Sequence, residues 1–281
     1  MMKRKRMVLV SSVALLLCVV SFGYGQTTPP AAGQTASPGA SKPASGNDKW
    51  EFMIAPYLWA TQINSKVTVR GRSADETTYF SDIVDHLNGG FLGHFEAAKG
   101  GKWGFFLDAI YLKLRGDGDL PAGRNGGTSS LPFHDVTLTT ESWIVEGGAF
   151  YRLGTWSLAG KPITVDALGG LRYWYMAVNL DTTSPLNASG NDYWVDPFIG
   201  ARAQIDLTKK FWFNLRGDVG GFGVGSHFSW NSLAGFGYRF TPALTGMLGY
   251  RALYVDYKKS TSAVRYEETF YGPIGGLSYT F

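Results

Sequence analysis

The chain lacks most of the features that mark the common protein classes. It has one cysteine in 281 residues, so no disulfide can form within it. Charged residues make up only 17%, against about 25% in a soluble domain. Yet 9 Trp, 15 Tyr and 18 Phe are too many for a disordered chain. After residue 25 no apolar run approaches the roughly 20 residues of a spanning helix. No phosphate loop, dinucleotide fingerprint or cysteine-based metal spacing is present. Glycine is what the chain has in excess, with 37 residues, roughly twice the usual share. Recurrent glycine and aromatics, few charges and no apolar helix point to a membrane β-barrel.

The N-terminus explains the cysteine and the charge. Lys3, Arg4, Lys5 and Arg6 form a positive region, Met7 to Val20 is mostly apolar, and Gly23-Tyr24-Gly25 supplies small residues at cleavage spacing. Residues 1–25 read as a secretory signal peptide. A membrane anchor would need a longer run, and lipidation of Cys18 would need small residues where Leu16 and Leu17 stand. Cleavage removes Cys18, four of the 26 basic residues and none of the 22 acidic ones, so the formal charge of +4 falls to zero. That balance gives no basic patch and argues against a nucleic-acid partner. Residues 26–49 hold Pro29, Pro30, Pro38 and Pro43 among Ala, Ser, Gly and Thr, with no aromatic. Such a segment cannot bury enough apolar surface to order itself, and it reads as a disordered periplasmic tether. Residues 50–281 are left for the barrel.

Period-two alternation runs through that region. Near the C-terminus Tyr271, Leu277, Tyr279 and Phe281 share one face, with Glu268, Gly272, Gly276, Ser278 and Thr280 on the other. This is a half-buried strand. Over 192–207, Tyr193, Val195, Ile199, Ala201, Ala203, Ile205 and Leu207 oppose Asp192, Asp196, Arg202, Gln204 and Asp206. Over 211–222, Phe211, Phe213, Leu215 and Val219 oppose Asn214, Arg216 and Asp218. Over 226–240, Phe228, Trp230, Ala234, Phe236, Tyr238 and Phe240 oppose His227, Ser229, Asn231 and Arg239. A soluble sandwich would pack such apolar faces on each other, but aromatics near strand ends fit interfacial girdles better. Short turns at 99–102, 207–210 and 240–243, with a somewhat longer one at 154–161, face the periplasm. Longer loops at 116–132, 181–191 and 258–263 face outward. Strands are expected at 50–60, 89–99, 103–115, 133–153, 162–180, 192–207, 210–222, 226–240, 243–257 and 264–281. That makes ten, an even number as closure demands. In the first outer loop, 61–88, VTVRGR suggests an extra hairpin, and the count becomes twelve if 61–72 spans the membrane. FSDIVDHL suggests a short helix capped by Ser81, with Ile83, Val84 and Leu87 as its apolar stripe.

Two sets of residues carry a resemblance. Gly276, Tyr279 and the terminal Phe281 resemble the C-terminal insertion signal of outer-membrane barrels, although Ile274 stands where a polar residue is usual. Pro56-Tyr57-Leu58-Trp59-Ala60, Phe80-Ser81-Asp82-Ile83, Gly90-Phe91-Leu92-Gly93-His94-Phe95-Glu96 and Trp103-Gly104-Phe105-Phe106-Leu107-Asp108 resemble a family of uncharacterised bacterial outer-membrane β-barrel proteins. The resemblance implies fold and location in the bacterial outer membrane, with the lipid bilayer and the outer-membrane assembly machinery as partners. It implies no substrate or reaction.

Alternation puts His94, Glu96, Asp108, Glu146, Arg152, Arg172, Asp196, Arg202, Asp206, Arg216, Asp218, Arg239, Arg251 and Glu268 on the lumen side. Either arginine–carboxylate pairs plug the lumen, or these groups line a narrow channel for small polar solutes. Every charge there needs a partner or water. A structural or transport role follows, with surface binding through loops 61–88 and 116–132 as the alternative. A barrel hydrolase would need a nucleophile, a base and an orienting group on one wall. His227 with Ser229 and Asn231, or His134-Asp135 with Glu141, form no spacing of that kind, so an enzyme is not expected. His94 with Glu96 reads as a lumen hydrogen bond rather than a metal site, and no cofactor is expected.

Overall fold

The computed structural model describes residues 49–69, 72–120, 133–182, 187–258 and 264–281. The proposed signal peptide and the tether, apart from Lys49, fall outside them. The elements are β1 (Trp50–Trp59), β2 (Gln62–Val69), β3 (Arg72–Thr78), α1 (Phe80–Asp85), β4 (Leu87–Lys99), β5 (Trp103–Leu120), β6 (Phe133–Leu158), β7 (Lys161–Asp181), β8 (Ala188–Asp206), β9 (Phe211–Gly220), β10 (Phe228–Arg239), β11 (Leu244–Lys258) and β12 (Val264–Thr280). Consecutive strands from β4 to β12 pair antiparallel, and β1 joins β4 on one side and β12 on the other. Among the described residues, ten strands therefore form a closed barrel without a free edge, as expected. The last residue helps make the closure: Phe52 N–H donates to Phe281 O at 3.0 Å and Phe281 N–H to Phe52 O at 2.8 Å.

The extra hairpin is present but does not cross the membrane. β2 and β3 pair with each other, and β2 continues the line of β1 along the outer half of β12. The register runs on unbroken from Trp59 opposite Ile274 to Gln62 opposite Tyr271. Gly272 permits this, because a Cβ there would collide with the Ala60 carbonyl. The helix is present as well, with a different cap. It starts at Tyr79, whose N–H donates to Asp82 Oδ2 at 3.2 Å, not at Ser81. Ile83 is buried, but Val84 and Leu87 are exposed, and Leu87 already belongs to β4. The stripe narrows because one helical turn offers only one position inward.

Turn chemistry fixes the rims. Gly100 and Gly101 open the three-residue connection from Lys99 to Trp103 with φ of 57° and 59°, the left-handed region that glycine adopts without penalty. The β6–β7 connection is shorter than expected. Both strands run on past a bulge at Arg152/Gly154 to a tight turn at Ala159-Gly160. The short turns lie at one rim, together with both ends of the barrel, and this is the periplasmic rim.

The outside surface changes in bands. Cross-strand partners across β5 to β8 form rows, from Trp103/Tyr151/Ala167/Ala201 up to Tyr111/Trp143/Tyr175/Tyr193. The outward rows between them hold Phe105, Leu107, Ala149, Val145, Leu171, Val195 and Ile199 and carry no charge. Ile199 is 62% exposed and Leu248 70%, which water would penalise and lipid does not. Eight residue steps on strands tilted about 40° give a band roughly 20 Å tall between aromatic girdles, close to that of outer-membrane barrels. Among the described residues no helix is long and apolar enough to cross a membrane; the strands cross it. The chain has the fold of an outer-membrane β-barrel, and its apolar belt sets it in that bilayer.

Candidate functional site

Alternation that sends apolar side chains to lipid sends the polar ones inward, and the lumen is packed with them. Near the periplasmic mouth Arg239 Nη2 meets Asp206 Oδ1 at 2.7 Å, both about one quarter exposed. Above this pair, Asp166 accepts from Arg152 Nε at 3.0 Å and Arg202 Nε at 2.8 Å. Arg202 also grips Glu96 through both terminal nitrogens, at 2.7 and 3.0 Å, the forked geometry that suits guanidinium to carboxylate. Its guanidinium carbon lies 4.2 Å from the Phe150 ring centroid.

The next layer is centred on Glu146, which is fully buried. Three arginines converge on it: Arg172 Nε at 3.1 Å, Arg216 Nη2 at 2.7 Å and Arg251 Nη2 at 2.9 Å. Asp218 joins Arg172 at 2.6 Å and Arg216 at 2.8 Å, and accepts from Asn231 Nδ2 at 2.9 Å. Asp108 accepts from Arg251 at 2.8 Å and from the Tyr57 hydroxyl at 2.8 Å, and its other oxygen lies 3.1 Å from His94 Nδ1. Phe198 lies against Arg172 and Arg216, and Trp59 against Arg251. The two layers together hold five arginines (152, 172, 202, 216, 251) and five carboxylates (96, 108, 146, 166, 218). The five positive and five negative groups balance, the condition for burying so many ions together.

An apolar lid covers this cluster on the outer side. Trp174, Trp194 and Tyr257 stack in sequence, at 5.7 and 3.9 Å between ring centroids. Trp59, Phe270, Leu253, Val255, Ile110, Ile144 and Ile274 complete the packing. Asp196 sits within the lid and is fully buried. It accepts from Trp174 Nε1 at 3.0 Å and from Ser226 N–H and Oγ at 2.6 and 2.7 Å. These three neutral donors satisfy it, where the five carboxylates of the cluster below have guanidinium partners.

The structure thus places ten of the fourteen proposed lumen residues in these two layers: His94, Glu96, Asp108, Glu146, Arg152, Arg172, Arg202, Arg216, Asp218 and Arg251. Asp206 and Arg239 form the separate pair at the mouth, and Asp196 belongs to the lid. Glu268 stands apart beside β2, where it accepts from Ser65 Oγ at 3.3 Å. The sequence reading missed Asp166 and Tyr57, both on the inward parity of their strands. It also missed the inward aromatics Phe106, Phe198, Trp174, Trp194 and Trp212, because large apolar side chains were assigned to lipid. His227 and Ser229 do not share a face. His227 precedes β10 and its side chain is 78% exposed, whereas Ser229 is buried and accepts from Arg172 Nη1 at 3.4 Å. The side chains of His134 and Asp135 lie outside the described residues. Among the described residues no group of three or more His, Asp or Glu is arranged to hold a metal. His94 and Trp212 line a cavity of about 60 Å³, a volume for a few waters rather than a solute.

No family model matches the chain, and no curated protein matches it. Among solved structures it is similar to the outer membrane protease OmpT of Escherichia coli, at 11% identity over 84% of this chain and 98% of that one, with a TM-score of 0.49. It is also similar to the translocator domain of the autotransporter NalP of Neisseria meningitidis, at 14% identity over 84% and 90% of the two chains, with a TM-score of 0.40. A third is Ail of Yersinia pestis, solved with a heparin analogue, at 11% identity over 83% and 98%, with a TM-score of 0.37.

Proposed function

We propose that this outer-membrane barrel is a plugged, non-catalytic scaffold that acts through its outer surface and does not conduct solutes through its lumen. The observation that carries this reading is the layer around Glu146. Glu146 and Arg172 have no exposed surface, and Trp174 closes the space above them with none either. A solute path would have to separate paired guanidinium and carboxylate groups, and breaking one such buried pair costs about 3–5 kcal/mol. Opening a path would break several pairs, so a resting pore is disfavoured. Each carboxylate of the cluster is also engaged by at least one guanidinium, which leaves none free as a general base. Planar-bilayer recording tests the proposal. The purified full-length protein is expected to insert without stepwise conductance. Reproducible single-channel steps at neutral pH would overturn the plug and restore the narrow-channel alternative.

A further inference from the structure

Above the outer aromatic girdle the outward face of β5 to β8 changes from apolar to polar within one rung. The row after Tyr111/Trp143/Tyr175/Tyr193 is Lys113/Glu141/Ala177/Asn191, and the next is Arg115/Thr139/Asn179/Ser189. A cavity of about 480 Å³ is lined there by Lys113, Arg115, Thr139, Asn179, Asp181 and Asn187, among others. Neither of its two cations belongs to the buried network, and Arg115 has only a loose, exposed pair with Asp117. Lys113 lies opposite Glu141, but that carboxylate accepts from Trp143 Nε1 at 3.3 Å, and Lys113 has no ion-pair partner among the described residues. Arg115 comes no closer than 3.6 Å to Asp117, whose Oδ1 is held at 2.7 Å by the Thr137 hydroxyl.

We propose that this patch binds the phosphorylated sugar headgroup of an outer-leaflet lipid, with Lys113 and Arg115 on phosphate and Thr139, Asn179 and Asp181 on sugar hydroxyls. The inference rests on the outer-membrane reading and its orientation. Aromatic side chains mark the interface, so side chains one and two rungs beyond them stand at headgroup depth. Cations pair with phosphate there, while amides, a hydroxyl and a carboxylate match sugar donors and acceptors. The lipid's acyl chains would lie on the apolar belt directly beneath, which a soluble saccharide cannot use. That continuity with the lipid-facing surface selects a lipid over a free sugar phosphate.

Native mass spectrometry of the detergent-solubilised barrel tests this, with a diphosphorylated glucosamine-disaccharide glycolipid as probe. The wild type is expected to retain the probe, and a Lys113→Ala/Arg115→Ala double variant to bind it at least about tenfold more weakly, as loss of charge-assisted hydrogen bonds predicts. A Lys113→Arg/Arg115→Lys swap should keep most of the affinity, and the dephosphorylated glycolipid should bind poorly. Faster migration in SDS without heating shows that each variant is folded. Equal retention by the wild type and the alanine variant, or equal retention of the dephosphorylated glycolipid, would overturn the proposal. Displacement by an equal concentration of free glucosamine phosphate would overturn the choice of a lipid. A wild type that fails to insert into vesicles would instead refute the membrane reading beneath it.

Discussion

Glu146→Gln probes the state of the lumen most directly. The substitution keeps the shape of the side chain and removes its charge. Three arginines donate to Glu146 at 2.7–3.1 Å, and charge-assisted hydrogen bonds contribute roughly 1.5–3 kcal/mol each. The simple sum overstates the loss, because Arg172 and Arg216 keep Asp218 and Arg251 keeps Asp108. What remains in this layer is three buried guanidiniums facing two carboxylates, and breaking a buried ionic group costs about 3–5 kcal/mol. We expect a loss in that range in urea unfolding of the barrel in lipid vesicles. Arg239→Ala is the internal control. Its pair with Asp206 is partly exposed at the periplasmic mouth, so its removal should cost about 1 kcal/mol or less. Adding Arg172→Met to Glu146→Gln restores the balance of charge, so the double variant should lose less than the two single losses together, by about 1–3 kcal/mol. A Glu146→Gln variant within about 1 kcal/mol of the wild type would mean that water screens the cluster, and the plug would be refuted.

Further tests address the face assignment, the closure and the packing. Ile199→Arg places a charge in the middle of the lipid-facing belt and should destabilise the folded barrel by about 2–4 kcal/mol in vesicles; a neutral result would put the residue outside the bilayer. Deleting Phe281 removes both hydrogen bonds to Phe52 and should lower the yield of heat-modifiable, membrane-inserted protein far more than deleting residues 26–45. Equal losses would show that the terminal pair does not matter for assembly. In Gly237→Ala the new methyl group would collide with the Trp212 indole, so overpacking should cost about 1–3 kcal/mol in the same unfolding assay. An unchanged midpoint would mean that the indole has room to move.

The sequence by itself determined the strands and their faces. Side chains on a strand alternate with a period of two whatever the strand pairs with, so Ile199 and Arg202 part company in any fold that uses residues 192–207 as a strand. Glycine-rich and proline-containing turns set the strand ends, and an even number of strands followed from closing them. The sequence also placed Arg172 and Glu146 on the inner side. Pairing of β6 with β7 sets those two opposite each other, but it says nothing of Arg216 and Arg251, which reach Glu146 from β9 and β11. Those partners depend on the stagger at which β1 meets β12, and no local pattern encodes that stagger. The same limit hid the lid. Trp174 and Trp194 are apolar residues on the polar parity, and alternation alone reads them as exceptions. Pairing of β7 with β8 sets the two indoles against each other, and closure of the barrel adds Tyr257 to the stack. The distances that pair Arg152, Arg172, Arg202, Arg216 and Arg251 with carboxylates were decided there, and the plug proposed for the lumen rests on them.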